Sequence, residues 1–411
     1  MSSPPPSTQT FDIAIVGGGP VGLLLACLLG DKGLKVAVLE RRTEPPQQSQ
    51  AIGITPPSLK ILAKLGLEQE FIHQGVKVRD CHVYGESGHL GCVSFRDIPG
   101  DHRFILSLPQ SETETLLQRR LKHMSQASLF QGVDVREVRA CKTHCVLTTG
   151  SGSSGRTGQV KARYVVACDG SRSALRESLQ IKTTSHTYGV HFLMGDFIDR
   201  TSFKYEAHLF FTALGAVETF PLPCGLRRWI VQTREHIGSP TPGLLTQLVQ
   251  ERARVTLDPE DQLNESAFTP RRLNCDRYHH GRVILCGDAA HVMSPIGGQG
   301  MNTGFADAEF LADALSAIML GKARPEPLLA AYHRYRHKAA QTATDRAAMG
   351  MWLGTWTGRQ RSRLRDFIIR HLLCRGPVRH HLGPLYAMLT IPYNTMDRVP
   401  AEALNPQPRH A

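Results

Sequence analysis

The sequence lacks the cysteine spacing of disulfide frameworks and of zinc sites. Its ten cysteines are scattered over 411 residues. The closest group, Cys141, His144 and Cys145, has no second half that would complete four zinc ligands, so we expect no metal and interpret these as ordinary strand and turn residues. Thiols without paired spacing are typical of a reducing compartment. The sequence therefore predicts a cytoplasmic protein.

Uninterrupted apolar segments and targeting signals are also missing. Residues 13–30 are long enough for a membrane span, but three glycines and a proline interrupt them where a strand would turn into a helix. Residues 1–10 contain no charged segment followed by an apolar one, so we expect a flexible leader and not a signal peptide. No internal repeat is evident. These features favour a soluble enzyme.

Acidic residues are fewer than basic ones, 36 against 48, which gives a net charge of +12 at pH 7. A basic balance can indicate nucleic-acid binding. Much of the excess, however, lies in residues 358–381, and no zinc-finger, RNP or heptad pattern accompanies it. The sequence therefore predicts no nucleic-acid partner.

Near the N-terminus, the pattern is that of a nucleotide-binding βαβ unit. It predicts a strand at 11–16, a helix at 20–31 and a second strand at 35–40. The free N–H groups and the positive end of such a helix suit phosphate groups. We therefore expect a dinucleotide on a Rossmann-like unit.

Three glycines occupy the G-x-G-x-x-G positions of this unit. Gly17 permits the tight turn, Gly19 lets the backbone approach a pyrophosphate, and Gly22 lets the helix lie close to the strand. Glu40 ends the second strand, where an acid commonly binds ribose hydroxyls. The candidate cofactor-binding residues of this unit are Gly17, Gly19, Pro20, Val21, Gly22, Glu40 and Arg41.

Two later segments have related features. An apolar strand ends at Asp169-Gly170, before a short predicted helix. Residues 283–315 then run from an apolar strand through Asp288 and a glycine-rich loop into a helix. Such a loop packs poorly, but it brings the backbone close to a flat or phosphorylated ligand.

In this order, the three motifs resemble those of the single-component flavoprotein monooxygenases, the para-hydroxybenzoate-hydroxylase-like aromatic hydroxylases. The resemblance covers roughly residues 11–350 and includes the segments 108–121 and 217–233. It implies FAD as cofactor, with Asp288 at its ribityl chain or phosphate and Pro295 beside the flavin face where oxygen is activated. The further cofactor-binding residues that it implies are Gln110, Asp169, Asp288, Pro295, Gly298, Gln299, Gly300, Met301 and Asn302.

One position departs from the family pattern. Members usually have an arginine before an A-x-G stretch that follows the second strand, and this sequence has Gln50. A neutral amide cannot make the charged, two-pronged contact of a guanidinium. Arg41 and Arg42 are the candidates to replace it.

The resemblance implies an α/β fold in which a Rossmann-like FAD-binding domain carries an inserted, mostly antiparallel substrate sheet and a C-terminal helical tail. Alternating residues around GESGHLG predict a hairpin within 76–95, and 151–158 is interpreted as a solvent loop in another hairpin. The expected bounds are 11–75, 101–182 and 276–350 for the FAD-binding domain, 76–100 and 183–275 for the sheet, and 351–411 for the tail.

The sequence identifies no catalytic base. In residues 205–211, His208 shares one strand face with Glu206 and Phe210, and one face of this strand should look toward the flavin. His208 is therefore a candidate base for a phenol, although an incidental strand histidine is the commoner case. The comparable candidates are His82, Tyr84 and His191. For His291 we expect a structural role.

The implied function is that of an oxidoreductase, an FAD-dependent monooxygenase. It would use NADPH or NADH and O2 to hydroxylate a small phenolic or related aromatic substrate through a flavin C4a-hydroperoxide. No second G-x-G-x-x-G unit is evident, so the nicotinamide should bind transiently, with Arg172 or Arg176 at its phosphates by analogy.

Two other functions remain open for this sequence, and a third is disfavoured. A ubiquinone-pathway-type hydroxylase would act on a membrane-borne quinone precursor. It is favoured by an apolar stripe in 358–381 that lies beside arginines and suits either a peripheral membrane contact or packing on the flavin domain. A halogenase is disfavoured because no W-x-W-x-I-P stretch occurs, and a non-hydroxylating flavoprotein remains open. The stripe consists of Leu364, Phe367, Ile368 and Leu372 beside Arg361, Arg363, Arg365 and Arg370.

Overall fold

The computed structural model describes residues 9–44, 51–151, 157–295, 297–375, 378–392 and 396–404. The strands are β1 (Thr10–Val16), β2 (Val36–Glu40), β3 (Gly53–Ile54), β4 (Val76–Val78), β5 (Asp80–Gly85), β6 (Gly88–Ser94), β7 (Ile105–Ser107), β8 (Ala127–Gln131), β9 (Val133–Ala140), β10 (Cys145–Ser151), β11 (Thr157–Ala167), β12 (Thr183–Thr187), β13 (His191–Ile198), β14 (Ala207–Thr212), β15 (Gly215–Leu222), β16 (Leu226–Thr233), β17 (Gln262–Phe268), β18 (Arg271–Cys275), β19 (His279–His280), β20 (Val283–Leu285) and β21 (His291–Val292). The α-helices are α1 (Pro20–Asp31), α2 (Pro56–Ala63), α3 (Glu68–Gln74), α4 (Gln110–Lys122), α5 (Ala174–Ser178), α6 (Leu244–Ala253), α7 (Gln299–Met319), α8 (Pro325–Gly354), α9 (Arg359–Phe367), α10 (Arg379–Tyr386) and α11 (Ala401–Leu404). Single helical turns lie at Gly287–Ala289 and Ile368–Leu373, the latter π-helical.

A mostly parallel sheet forms the first half of the molecule. Its order is β19-β20-β11-β1-β2-β8, and β1, β2, β8, β11 and β20 run parallel to one another. All five residues of β2 are buried, as expected for a parallel strand covered on both faces. The helices α1 and α7 pack against each other in its main core. The ends of these strands supply the nucleotide motifs.

The second large sheet is mostly antiparallel. Its seven strands have the order β17-β13-β16-β15-β14-β5-β6, in which β14 and β5 form the parallel pair. Side chains alternate between its two faces. One face packs on α6 through a core that includes Val217 and Trp229, and the other face lines a cavity.

The α/β fold class is confirmed, and so is the predicted hairpin at 76–95, where β5 and β6 pair antiparallel around a short turn. The seven-stranded sheet draws its strands from 80–94 and 191–268. The domain bounds remain a prediction. Strands β10 and β11 pair antiparallel on either side of the predicted loop, whose residues 152–156 lie outside the described residues.

The chain beyond α8 crosses the edge of the second sheet. Arg365 donates to the carbonyl oxygens of Phe211 and Trp356, both at 2.7 Å, and Asp366 accepts from the Glu86 N–H at 2.9 Å. A Cβ atom added to Gly91 would overlap Cys374. This tail therefore packs on the substrate sheet, whereas packing on the flavin domain was the expected alternative to a membrane contact. Within the described ranges, no helix has the length and hydropathy to cross a bilayer.

Candidate active site

One cavity of about 620 Å³ lies between the carboxyl ends of the parallel strands and the second sheet. Its volume is that of a site for small molecules. The nucleotide motifs line one end. The other end is lined by the second sheet, the end of α8 and the tail, with aromatic residues Phe95, Phe192, Phe220 and Phe268.

The turn between β1 and α1 has the shape that its glycines predict. Gly17 has φ +106°, and a Cβ atom there would overlap the carbonyl oxygen of Cys168. A Cβ atom on Gly22 would overlap the Gly17 carbonyl, which explains the close packing of helix on strand. Gly19 faces open space, and α1 begins after it without a side-chain cap. The free N–H groups at this helix start fit a pyrophosphate.

Glu40 holds the glycine turn in place. Its carboxylate accepts from the Gly18 N–H at 2.6 Å and from the Arg42 N–H at 2.8 Å, and Arg42 Nε lies 3.0 Å away. Glu40, Arg41 and Arg42 all line the cavity. Gln50 lies outside the described residues.

Two further carboxylates face the cavity, Asp169 and Asp288. Oδ2 of Asp169 accepts from the Leu175 N–H at 3.3 Å, whereas its buried Oδ1 has no hydrogen-bond partner among the described residues. Burial raises the pKa of the Asp169 carboxyl, whereas Asp288 is exposed at the cavity. Acceptors of this kind fit the hydroxyl groups of FAD, because each hydroxyl can donate one hydrogen bond.

The glycine-rich loop brings the start of α7 to the cavity. Gly297 and Gly298 have φ +81° and +63°, and Gly298 donates its N–H to the Pro295 carbonyl at 2.9 Å. Pro295, Gly298, Gly300 and Met301 line the cavity. The 21-residue helix has no side-chain cap, so its positive end is available to a flavin ring.

Gln299 and Asn302 do not line the cavity. The amide of Asn302 donates to the carbonyl oxygens of Gly53 (2.9 Å) and Gly298 (2.6 Å) and accepts from the Thr55 N–H (2.9 Å). The side chain of Gln299 is buried. Asn302 therefore holds the loops behind the cavity together, and neither its side chain nor that of Gln299 lines the cavity. Gly22 does not line it either. By contrast, Gln110 lines it and donates to Glu114 at 2.9 Å.

His291 belongs to a buried ion network behind the same loop. Its Nε2 lies 2.6 Å from Asp307, which also binds Arg336 at 2.7 Å. Burial alone would raise the pKa of Asp307, but His291 and Arg336 hold it below its usual range. This arrangement fits the structural role expected for His291.

The candidate bases on the second sheet lie on its other face. His208 stacks on Phe203 at a ring distance of 3.9 Å and on His82 at 5.2 Å. Tyr84 stacks beside His208, and His191 binds Thr269 at 2.7 Å. The cavity is lined instead by their strand neighbours, such as Leu209 and Phe211 on β14. None of the four candidates therefore reaches the cavity.

The polar residues of the cavity that sequence reasoning missed include Ser107, Arg228, Glu218 and Tyr386. Glu218 points into it from β15, and Tyr386 from the end of α10. Burial raises the pKa of the Tyr386 hydroxyl to about 12, so it remains a hydrogen-bond donor at neutral pH. Strand alternation with Phe220 could have revealed Glu218. Nothing local could have revealed Tyr386.

The fold and the cavity together define a flavin-dependent oxidoreductase with a Rossmann-like cofactor domain and a separate substrate sheet. Residues 10–347 match the model of the family described as FAD binding domain, and the chain belongs to this family. The predicted family and FAD as the cofactor are thereby confirmed.

Named relatives share most of the chain. The rifampicin monooxygenase of Streptomyces venezuelae is 32% identical over 343 residues, which cover 82% of this chain and 70% of that protein. The dialkyldecalin synthase of Streptomyces rugosporus is 31% identical over 346 residues, covering 80% and 70%. The solved structure of the anhydrotetracycline hydroxylase OxyS from Streptomyces rimosus has a TM-score of 0.78 at 27% identity, covering 94% of this chain and 77% of that one. The chain is an FAD-dependent enzyme of the monooxygenase class.

Proposed function

We propose that this enzyme hydroxylates a small phenolic or related aromatic substrate with O2 and electrons from NADPH or NADH. The observation that carries the proposal is the continuity of the cavity. It joins a turn suited to a dinucleotide with an apolar, aromatic chamber, and the loop from Pro295 to Gly300 borders it.

Bound FAD supplies electron transfer from the nicotinamide and activation of oxygen. The chain's own residues orient, stabilise and exclude water. The start of α7 directs its positive end toward the cavity and favours negative charge there. Pro295 has no N–H group to attract water. The tail closes the side of the chamber through Leu373 and Leu382.

For the nicotinamide donor, Arg172 is the better of the two candidates. Arg172 is exposed at the cavity. Arg176 is buried and donates to the carbonyl oxygens of Ala289 and Ser171, both at 3.2 Å. A free guanidinium suits a phosphate that binds only briefly. We also propose a cytoplasmic location, because all ten cysteines are free.

The decisive experiment is turnover under isotopically labelled O2. A panel of phenols and fused-ring aromatics is screened for stimulated NADPH oxidation, and the masses of the products are measured by mass spectrometry. We expect one labelled oxygen atom in the product of a true substrate. Product that never carries label, or turnover that needs neither NADPH nor O2, would contradict the proposal and favour a non-hydroxylating flavoprotein.

A membrane-borne quinone precursor is the second candidate substrate. It is favoured by the outer face of the tail, where Leu364, Phe367 and Leu372 are each more than half exposed. Arginines beside them suit an anionic lipid surface. The basic side chains on this face include Arg359, Arg361 and Arg363, all exposed.

Co-sedimentation with vesicles separates the two candidates. For the membrane candidate, binding to vesicles with anionic lipid should fall in the double variant Leu364→Ser, Phe367→Ser, while turnover of a soluble phenol is unchanged. The matched control is Leu320→Ser, which removes an exposed leucine outside the tail. Absence of binding at low salt would exclude a membrane-borne substrate.

A further inference from the structure

Glu218 has an environment that the proposed function leaves unexplained. It lies in the middle of β15, between β14 and β16 of the second sheet. Its strand neighbours Val217 and Thr219 are buried on the α6 side, whereas Glu218 and Phe220 line the cavity. Its cross-strand partners are Leu209 and Ile230, which are apolar and also line the cavity. The carboxylate is therefore flanked by apolar side chains on both neighbouring strands.

No hydrogen bond or ion pair to Glu218 occurs in the described part of the chain. The residue is only 9% exposed. A buried carboxylate without a partner is costly, and native structures rarely retain one without a functional reason. The other buried carboxylates each have a partner: Glu40, Asp80, Glu114, Asp196, Asp261, Asp307, Glu309 and Asp366.

Arg228, a charged residue that lines the same cavity, has another carboxylate as its partner. Arg228 on β16 makes a two-pronged pair with Asp196, at 2.7 and 2.8 Å. Burial raises the pKa of Glu218 to about 7. Cys81 and Tyr386 also feel its charge, and burial raises their pKa values as well. Near neutral pH, Glu218 is therefore the member of this group that changes its protonation state.

Tyr386 lines the same cavity as Glu218 and the flavin loop. The ring of Tyr386 lies beside Gly297, where an added Cβ atom would be 3.5 Å from Cδ1, and the charge of Glu218 acts on its hydroxyl. An aromatic compound in the chamber can thus lie between the loop and Glu218. Its ring would face the oxygen-activating side while a polar substituent meets the carboxylate.

We propose that Glu218 binds a free hydroxyl group of the aromatic substrate and takes its proton. This inference rests on the proposed function and specifies its substrate class: a compound with a phenolic or enolic hydroxyl. The O–H bond breaks, its electron pair stays on oxygen, and the proton moves to Glu218. The ring then donates an electron pair to the transferred oxygen atom while the O–O bond derived from O2 breaks. The second oxygen atom keeps the electron pair of that bond, takes up protons, one of them from the ring carbon, and leaves as water, with the reducing electrons supplied by NADPH or NADH. Loss of the ring C–H proton restores aromaticity, and the proton on Glu218 returns to the original oxygen.

The test compares Glu218→Gln with wild type on phenols of graded acidity and on their methyl ethers. The amide keeps the side-chain volume and cannot accept the proton. We expect kcat/KM for a weakly acidic phenol to fall about 100-fold, with a smaller loss for a phenol already ionised at the assay pH. The rising limb of the wild-type pH profile near pH 7 should disappear. Glu218→Asp should keep the limb at a lower rate, and methyl ethers should not be hydroxylated by wild type.

A matched control and a stability measurement separate this role from a structural one. Thr219→Val alters the same strand on the opposite face, and its pH profile should be unchanged. Because a raised folded-state pKa makes stability fall as pH rises, Glu218→Gln should have an equal or higher Tm than wild type, with a gap that grows between about pH 5 and pH 8. A lower Tm, a retained pH limb or efficient hydroxylation of methyl ethers would overturn the proposal. Wild type that hydroxylates no aromatic compound of any kind would instead overturn the proposed function, whereas hydroxylation only of aromatics without a free hydroxyl would overturn the role of Glu218.

Discussion

The carboxylate side chains of the cavity lie in two chemically different regions, one at the nucleotide motifs and one on the substrate sheet. Glu40 is held by backbone N–H groups and keeps the glycine turn in shape. Asp169 and Asp288 keep acceptor oxygens toward the cavity, where they suit the hydroxyl groups of FAD. Glu218 stands apart from them on the substrate sheet. The same residue type thus serves cofactor and substrate through differences in what surrounds it.

Asp288→Ala should weaken FAD binding without unfolding the protein. The variant removes an acceptor for cofactor hydroxyls, and hydrogen bonds to a charged group contribute about 1.5–3 kcal/mol. We therefore expect the Kd for FAD to rise by about 10- to 100-fold, measured by fluorescence quenching of added FAD. Asp276→Ala is the control, because Asp276 is exposed and outside the cavity. Equal affinity in both variants would mean that Asp288 does not contact FAD.

Helices and strands position these residues. The start of α7 at the cavity depends on the left-handed backbone conformation of Gly298, the residue before the helix. Gly298→Val should give a folded protein with low flavin occupancy or altered flavin reactivity. A branched side chain at φ +63° costs of order 1–3 kcal/mol and shifts the loop. Occupancy is read from the ratio of flavin to protein absorbance.

The control for this variant is Gly66→Val. Gly66 has a similar φ of +71° with no atom near the added Cβ, and it lies outside the cavity. It should lose stability but keep its flavin. If both variants bind flavin normally, the loop at Gly298 is only a connection between β21 and α7.

The tail is the second element with a testable effect. Gly91→Val should displace residues 368–374, because its Cβ would overlap Cys374. The opened chamber admits water, so a larger share of NADPH oxidation should release hydrogen peroxide without product. The ratio of peroxide to hydroxylated product measures this effect. Gly88→Asn, in open space in the same hairpin, should leave the ratio unchanged.

Elements defined by local patterns could be predicted from sequence. The predicted strand at 11–16, helix at 20–31 and strand at 35–40 correspond to β1, α1 and β2, because glycine spacing and apolar runs are local signals. By contrast, local patterns could not predict which face of β14 lines the cavity. Alternation separates His208 from Leu209, but only pairing with β5 and packing under α6 decide which of them meets the cavity. Tyr386 lies about 170 residues beyond Glu218 in the sequence, and no local pattern indicates that the two residues line the same cavity.

At the scale of the whole molecule, the cofactor should act as a structural ligand. Its expected site draws residues from β1, α1, β2, β11 and α7, so FAD binds the folded form selectively. At a free concentration about 100 times Kd, such a ligand stabilises by about 2.7 kcal/mol. Thermal unfolding should shift upward with added FAD and much less with riboflavin, which lacks the adenosine diphosphate part. An identical shift with both would argue against an ordered pyrophosphate in the turn at Gly19.

The strand order also determines how this chain has to fold during synthesis. Strand β1 cannot complete its pairing until β11, about 150 residues later, has been synthesised. Strand β11 in turn pairs with β20, near residue 285. In the second sheet, β5 likewise pairs with the later strand β14. Both sheets therefore keep apolar edges unpaired until most of the polypeptide has left the ribosome. Such distant pairing is slow and prone to aggregation, so refolding from denaturant should be inefficient at high protein concentration, and chaperones should improve the yield of soluble enzyme in expression.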